Sequence, residues 1–248
     1  MSAASELDHV GIVGHELDEM AAAFEAAGFH LTPLARHAGG RTGNRCAMFR
    51  DGGYLELMAT VDGGTSATLA RFLARHAGAH LLAFGVDDLA GAGARLERAC
   101  DEVPAASWTE RAVDDGDPAG RRARFGLIGP FDRPEGRVHL VHHETPEALW
   151  QDRFVRHPNH ALALEEVVLT VPEPAVTAAW YSQLVGRAVV PDRAGGFALP
   201  LPRGRVRILG GDRAASARIA EISVRSNTGA ACETLAICGT TIRLCRAA

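Results

Sequence analysis

The chain contains no lysine; all 26 basic residues among its 248 are arginines. That absence excludes a Walker-type phosphate loop, whose lysine reaches the phosphates, and any Schiff-base mechanism. No GxSxG nucleophile elbow and no HExxH helix occur either, which argues against the enzyme classes built on them. No apolar run approaches the roughly 18 residues of a membrane span. No charged segment followed by an apolar one precedes the first strand, so a cytoplasmic chain without a signal peptide is expected. The net charge of −4 leaves no basic footprint for nucleic acid. The five cysteines (Cys46, Cys100, Cys232, Cys238, Cys245) form no CxxC pair, and an odd count without such pairs reads as reduced thiols in a cytosolic protein.

What is present is a recurring pattern. Leu7–Val13 is apolar enough for a strand. Leu17–Ala27 has helical spacing (Leu17, Met20, Ala21, Phe24) and stops at Gly28. Phe29–Leu34 reads as a strand, His37–Arg45 as a glycine-rich loop, and Cys46–Arg50 and Tyr54–Ala59 as strands joined at Asp51-Gly52-Gly53. A helix over 66–76 leads to a second copy: strand His80–Val86, helix Asp88–Cys100 with an aspartate cap, and strands near 108–113, 122–127 and 137–142, with a polar loop at Asp114–Pro118. A third copy has strand Leu164–Val171, helix Pro174–Val185 and short strands near 188–190, 197–199 and 206–209. A fourth has strand Ile219–Val224, a helix over 228–238 and strand Thr240–Cys245. A period of roughly 60 to 80 residues is too long for a solenoid and suits βαβββ units. The fold class read from this repeat is α+β, with about four units, the last incomplete. Residues 1–148 form one expected domain carrying the active cup, and 149–248 a second, degenerate half.

Alternation along the first unit sorts its side chains. Val10 and Ile12, like Leu55 and Leu57, face the helix, so His9, Tyr54, Glu56 and Met58 share the opposite face. In the second unit Leu82, Phe84, Val138 and Leu140 face the helix. This puts Leu81 and His139 on the cup, with Val141 and His143 along the same face. His80 is one residue out of phase, and only a bulge would turn it inward. The third and fourth units place Glu166, Arg207 and Ile219 at the corresponding positions, and Glu166 and Arg207 are expected to pair across the cup. The segment His157-Pro158-Asn159-His160 reads as a turn, because Pro158 holds His157 extended.

LDHVGIV, the loop RHAGGRTGN and the strand YLEL, in that order and spacing, resemble the vicinal oxygen chelate superfamily, and within it the glyoxalase-like domain proteins; HETPE and RHPN resemble that branch as well. The resemblance implies that the units pair into curved mixed sheets, each pair around a concave face, with a divalent metal, Fe, Mn, Zn, Ni or Co, on residues of the first and fourth strands. Matched residue by residue, the ligands are His9, Glu56 and His139, with Leu81 at the fourth position. Two imidazoles and a carboxylate can hold such an ion with open positions. Glu56 is also the expected catalytic proton-transfer group. Arg41, Asn44 and Tyr54 are the expected substrate contacts. For Arg41 and Asn44 an ordinary connecting loop is the alternative, and for Tyr54 simple packing.

The resemblance thus implies a metal-dependent lyase, isomerase or oxygenase acting on a small oxygenated molecule. A metal-free protein that sequesters small molecules is the alternative, favoured by Leu81 and the degenerate second half. The partners expected are a small-molecule ligand and, in a homodimer, a second copy; neither nucleic acid nor membrane is expected.

Overall fold

Apolar residues at alternate positions need a sheet with one dry face, and the chain satisfies that need twice. The computed structural model describes residues 6–100, 102–114, 120–211, 217–227 and 232–246, and among these it contains fifteen strands and five helices. The first sheet holds β1 (Glu6–Val13), β2 (Ala35–Arg36), β3 (Thr42–Met48), β4 (Tyr54–Thr60), β5 (Gly78–Gly85), β6 (Ser107–Ala112), β7 (Arg122–Arg133) and β8 (Gly136–His143), in the order β2-β3-β4-β1-β5-β8-β7-β6. The second holds β9 (Ala161–Val171), β10 (Val190–Pro191), β11 (Phe197–Pro200), β12 (Arg205–Gly210), β13 (Arg218–Ser226), β14 (Cys232–Ile237) and β15 (Thr240–Arg246), in the order β10-β11-β12-β9-β13-β15-β14. In each sheet two first strands run antiparallel at the centre (β1 and β5; β9 and β13), each flanked by a parallel partner (β4 and β8; β12 and β15).

Helices α1 (Leu17–Ala26), α2 (Ala67–Leu73), α3 (Leu89–Glu97), α4 (Pro146–Leu149) and α5 (Pro174–Val185) connect these strands. Ser66 caps α2 by accepting from Leu69 N–H, and Asp88 caps α3 by accepting from Gly91 N–H, each satisfying a first-turn donor that the helix cannot. Gly186, at φ 70°, closes α5 in the left-handed conformation that glycine adopts without penalty. One apolar core spans both sheets: Val10, Ile12, Leu55 and Phe24 on one side are continuous with Leu169, Tyr181 and Ile208 on the other. Burying each such side chain contributes about 1.5–3 kcal/mol. The sheets are also tied through Arg203, whose carbonyl accepts from Leu7 N–H and whose guanidinium pairs with Glu6 at 2.5 Å.

Four expectations are corrected. Residues 29–34 form no strand; Pro33 offers no donor to a ladder, and the segment runs beside β3 on a few single bonds, Thr32 N–H to Cys46 O among them. The glycine-rich loop is shorter than expected, because β3 begins at Thr42, so Asn44 sits on a strand. The helix expected over 228–238 is a strand where described: β14 and β15 form a hairpin whose two-residue turn, Cys238-Gly239, has positive φ at both positions (49° and 70°), the mirror-image turn that matches strand twist. The fourth unit therefore keeps its flanking parallel strand as β15 and, among the described residues, has no helix. Finally, the hairpin register sets Cys232 opposite Cys245 with Cα atoms 4.1 Å apart, and the two form a disulfide, leaving Cys46, Cys100 and Cys238 free. Of the polar loop expected at 114–118, residues 115–118 lie outside the described residues; the turn at 157–160 is present, closed by His160 N–H to His157 O.

Candidate functional site

Register assembles the floor of the first sheet's concave face. Val10 pairs with Leu55 and with Leu82, and Leu82 pairs with Val138. These four face the core, so their neighbours His9, Glu56, Leu81 and His139 face the other way, and all four line a cavity of about 430 Å³. Tyr54, Met58, Phe125 and Leu127 complete much of its wall. A larger cleft of about 740 Å³ lies beside it, lined by Glu6, Trp150 and Arg203 among others. The smaller cavity is the one onto which the four floor positions of the sheet converge.

Glu56 is the hub. Its Oε1 accepts from the Asn44 amide, His37 Nε2 lies 3.5 Å from the same oxygen, and His9 Nε2 lies 3.7 Å from Oε2. Burial on its own would raise the carboxyl's pKa, but the bond to His37, the nearby His9 and His37 rings and the Asn44 donor outweigh it and bring it down to about 2. The carboxylate also fixes the Asn44 amide, because the reversed orientation would set oxygen against oxygen. Asn44 Oδ1 is left buried with no partner. His37 is held in turn by Thr42 Oγ1 at 2.9 Å.

His9 is oriented from behind. A bulge in the β1–β5 pairing between Leu7 and His9 lets Leu7 enter the core and turns Asp8 to the cup side, the re-aiming that bulges perform beside functional sites. Asp8 lies 2.6 Å from His9 Nδ1 and 3.1 Å from His143 Nε2. Burial opposes its charge most strongly, yet the His143 charge and the two histidine bonds hold it ionised, below the usual carboxylate range. In the tautomer that gives Nδ1–H to Asp8, a neutral His9 would present an Nε2 lone pair to the cavity. His139 differs: its Nε2 is buried and unpartnered. Burial first, then the His9 and Arg137 charges, lower its pKa to about 4, so it is neutral at pH 7. Tyr54 stacks on His9 with ring centroids 4.4 Å apart.

The sequence-based site residues divide accordingly. His9, Asn44, Tyr54, Glu56, Leu81 and His139 come together in one cavity, but Arg41 is exposed on the loop before β3 and does not line it. His80 sits at a second bulge, between the pairs Gly11–Leu81 and Ile12–Ala79, yet its ring stacks on Phe72 and bonds His76 O instead of entering the cavity. Asp8 and His37 were missed as site residues. Alternation points Asp8 to the core, and only the bulge reverses it; His37 lay in plain view in the glycine-rich loop, but nothing local showed that it would reach Glu56.

Among the described residues no three His, Cys, Asp or Glu side chains stand in a ready metal-holding group. The donor chemistry nonetheless suits a divalent ion: an ionised carboxylate, a lone pair on His9, and a neutral unpartnered imidazole nitrogen on His139. His9 Nε2 and Glu56 Oε2 stand 3.7 Å apart, and these two groups with His139 are the ones that would hold such an ion.

The second sheet has a cup in the same register, with different contents. Val167 pairs with Val206 and Ile222, and Ile222 pairs with Ile242, so the four floor positions fall on Glu166, Arg207, Glu221 and Arg243. Ile219, expected at one of them, is a buried core residue because the β13–β9 pairing bulges between Ile219 and Glu221. Glu166 pairs with Arg205 and, at 3.6 Å, with Arg207; Arg207 also grips Asp192 with two bonds of 2.8 Å; Glu221 and Arg243 lie 3.7 Å apart.

The family profile described as the glyoxalase-like domain matches residues 7–185. No curated protein matches the chain. Among solved structures, a hypothetical protein from Staphylococcus aureus is similar over 98% of this chain and 99% of its own, with a TM-score of 0.79 at 15% identity. A 4-hydroxymandelate synthase mutant from Streptomyces coelicolor is similar over 92% and 72%, with a TM-score of 0.59 at 16% identity. The Mn(II)-bound glyoxalase from Novosphingobium aromaticivorans is similar over 91% and 66%, with a TM-score of 0.51 at 14% identity. At these identities the likeness is one of fold, and the profile, covering most of the chain, carries the assignment: the chain belongs to the glyoxalase-like domain family of the vicinal oxygen chelate superfamily.

Proposed function

We propose that the protein is a divalent-metal-dependent enzyme of the lyase, isomerase or oxygenase type acting on a small oxygenated molecule, with the ion on His9, Glu56 and His139. The observation that carries this reading is the buried, unpartnered Nε2 of His139. A polar atom left without a partner in a closed apolar setting costs about 1–3 kcal/mol, and an ion is the partner that its neutral lone pair suits. The Novosphingobium glyoxalase, of similar fold, is Mn(II)-bound in its structure, which is consistent with that choice.

When bound, the ion would supply Lewis-acid polarisation of a substrate oxygen. The chain's own residues do the rest. Asp8 holds His9 in one tautomer. Asn44 and His37 hold the Glu56 carboxylate. Met58, Leu69, Leu81, Phe125 and Leu127 keep water from the floor. With its pKa near 2, Glu56 is a better ligand than base, since a general base works best near the operating pH. It moves a proton only once substrate has displaced His37 or Asn44 and its pKa rises.

The test is metal content after loading with Fe(II), Mn(II), Zn(II), Ni(II) and Co(II). One ion per chain, lost in His9→Ala and in His139→Ala, is the expected result; a folded protein that takes up no metal overturns the reading.

A second reading, a metal-free binding protein, draws on Leu81 at the fourth position and on the fact that Asn44 and His37 already satisfy Glu56. It predicts stabilisation by an organic ligand that chelator does not diminish.

A further inference from the structure

One group on the cavity wall has no role in the function proposed above. Arg111 lies on β6, an end strand of the first sheet, and lines the cavity together with Thr109. Alternation accounts for both. Trp108 is 56% exposed and Glu110 pairs outward with Arg122 and Arg124, while Thr109 and Arg111 point inward. Across the ladder Thr109 faces Phe125, but Arg111 faces Ala123. The small residue leaves room for the guanidinium to fold over the cavity. The end strands β2 and β6 approach each other, which curls this wall over the floor.

Arg111 is poorly satisfied by the protein. Among the described residues its one hydrogen bond runs to the adjacent Ala112 carbonyl at 3.3 Å, and it makes no ion pair. The other arginine of the cavity, Arg137, is already held: Asp132 takes it through two bonds of 2.9 and 3.4 Å, and it lies over the Phe72 ring. The half-buried Arg111 guanidinium keeps donors open to the cavity that Phe125 and Leu127 also line, where an oxyanion can meet them. Its planar fork matches the two oxygens of a carboxylate.

We infer that Arg111 sets the specificity of the cavity, and that the ligand is a small organic acid whose carboxylate docks on Arg111 while its oxygen-bearing end reaches the floor of His9, Glu56 and His139. This rests on reading that cavity as the functional site. The anion pocket itself needs no metal, so the two assignments can fail separately.

The experiment is a thermal-shift and calorimetric panel of 2-oxo and 2-hydroxy monocarboxylates, short-chain and aryl, each measured against its primary amide and against a phosphate monoester of similar size, on the full chain with and without chelator. Acids are expected to stabilise the wild type where amides do not, in chelator as well. Arg111→Gln should weaken acid binding by about ten- to a hundredfold, the size of a charge-assisted pair, and erase the preference over amides. Arg111→Lys should restore part of it, which separates lost charge from misfolding. Arg137→Gln should leave the preference intact. An acid preference that survives Arg111→Gln, a panel without any acid preference, or binding of the phosphate monoester alone would each overturn the assignment. Acid selectivity in a protein that takes up no metal would sustain it while ending the metal reading.

Discussion

The two cups share one register and differ in whether their polar groups are satisfied. In the second, every floor residue has an ionic partner: Glu166 with Arg205 and Arg207, Arg207 with Asp192, Glu221 with Arg243. In the first, His139 Nε2 and Asn44 Oδ1 are buried with none, Arg111 has no carboxylate, and Leu81 takes the fourth position. A cup whose charges neutralise one another is complete as a piece of structure. One that strands donors and acceptors is complete only with something in it. The floor register is common to both, so the difference in chemistry lies mainly in the side chains set on it.

The sharpest way to break the comparison is to remove the matching carboxylates. On the proposed reading Glu56→Ala abolishes metal uptake and activity, an all-or-none effect seen in metal content, and leaves the apo protein folded. Glu166→Ala should leave metal uptake unchanged and lower stability by about 1–3 kcal/mol. The pairs it breaks are part-exposed and Arg207 keeps Asp192, so the loss falls short of that for a fully buried pair. Denaturant midpoints of the two variants measure this. Metal retained in Glu56→Ala, or lost in Glu166→Ala, would erase the distinction between the cups.

Next in size is the response to acid of the metal-free protein. His139 and His80 have pKa values lowered to about 4, and that of His157 is also lowered, in each case by burial first. A histidine whose folded pKa lies below its unfolded value of about 6.5 takes up its proton more readily when unfolded. Its stabilising effect is full above about pH 6.5 and is lost as pH falls toward about 4. His139 and His80 each contribute a slope approaching about 1.4 kcal/mol per pH unit within that window. Glu56 and Asp8, also lowered, extend the loss below pH 4.5. The first half should therefore weaken from pH 6.5 downward, whereas in the second the Arg207 bond lowers the Asp192 pKa to about 2, so that it titrates only in stronger acid. In chelator, His139→Leu should make the arm between pH 6.5 and 4 shallower by about one proton; an unchanged arm would mean that His139 is not held neutral.

Much of this was legible beforehand. Val10, Ile12, Leu55 and Leu57 alternate cleanly, and that period alone placed His9, Glu56 and Tyr54 on one face. The matching argument placed Leu81 and His139 on the cup and paired Glu166 with Arg207. What failed did so where the backbone departs from regularity. Bulges turned Asp8 inward and moved the fourth register position of the second half from Ile219 to Glu221. The segment 232–237 was read as helix although Cys238-Gly239 is a hairpin turn. Arg111 was overlooked because its surroundings come from β7, Ala123 above all, and a cross-strand neighbour cannot be read from local pattern.

A smaller effect comes from supplying the donor that the first cup lacks. Leu81 packs with Met58 over Gly11, where an added Cβ would come within 2.6 Å of the Met58 methyl and 2.9 Å of Leu81 Cβ. Leu81→His fits a side chain of similar size there and adds an imidazole to the floor. Metal affinity should rise about tenfold, near 1.4 kcal/mol, by competition with a chelator of known affinity. An unchanged affinity would indicate that the ion, if bound, sits toward Glu56 and away from β5.

The smallest expected effect separates packing from hydrogen bonding at Tyr54. Its ring stacks on His9 and meets Trp150 edge-on at 5.9 Å, while its hydroxyl has no hydrogen bond among the described residues. Burial, chiefly, pushes the phenol's pKa well above the usual range, so it stays neutral. Tyr54→Phe keeps the stack and should change stability by less than about 1 kcal/mol. Metal affinity should hold within about threefold, since His9 is oriented by Asp8 and not by the phenol. If the hydroxyl also contacts ligand, the binding constant of an acid from the panel shifts while metal affinity stays fixed. That split would mark Tyr54 as a ligand contact; an unchanged constant would leave it as the surface that steadies His9, a support for which the second cup, with ion pairs in place of lone pairs, has no need.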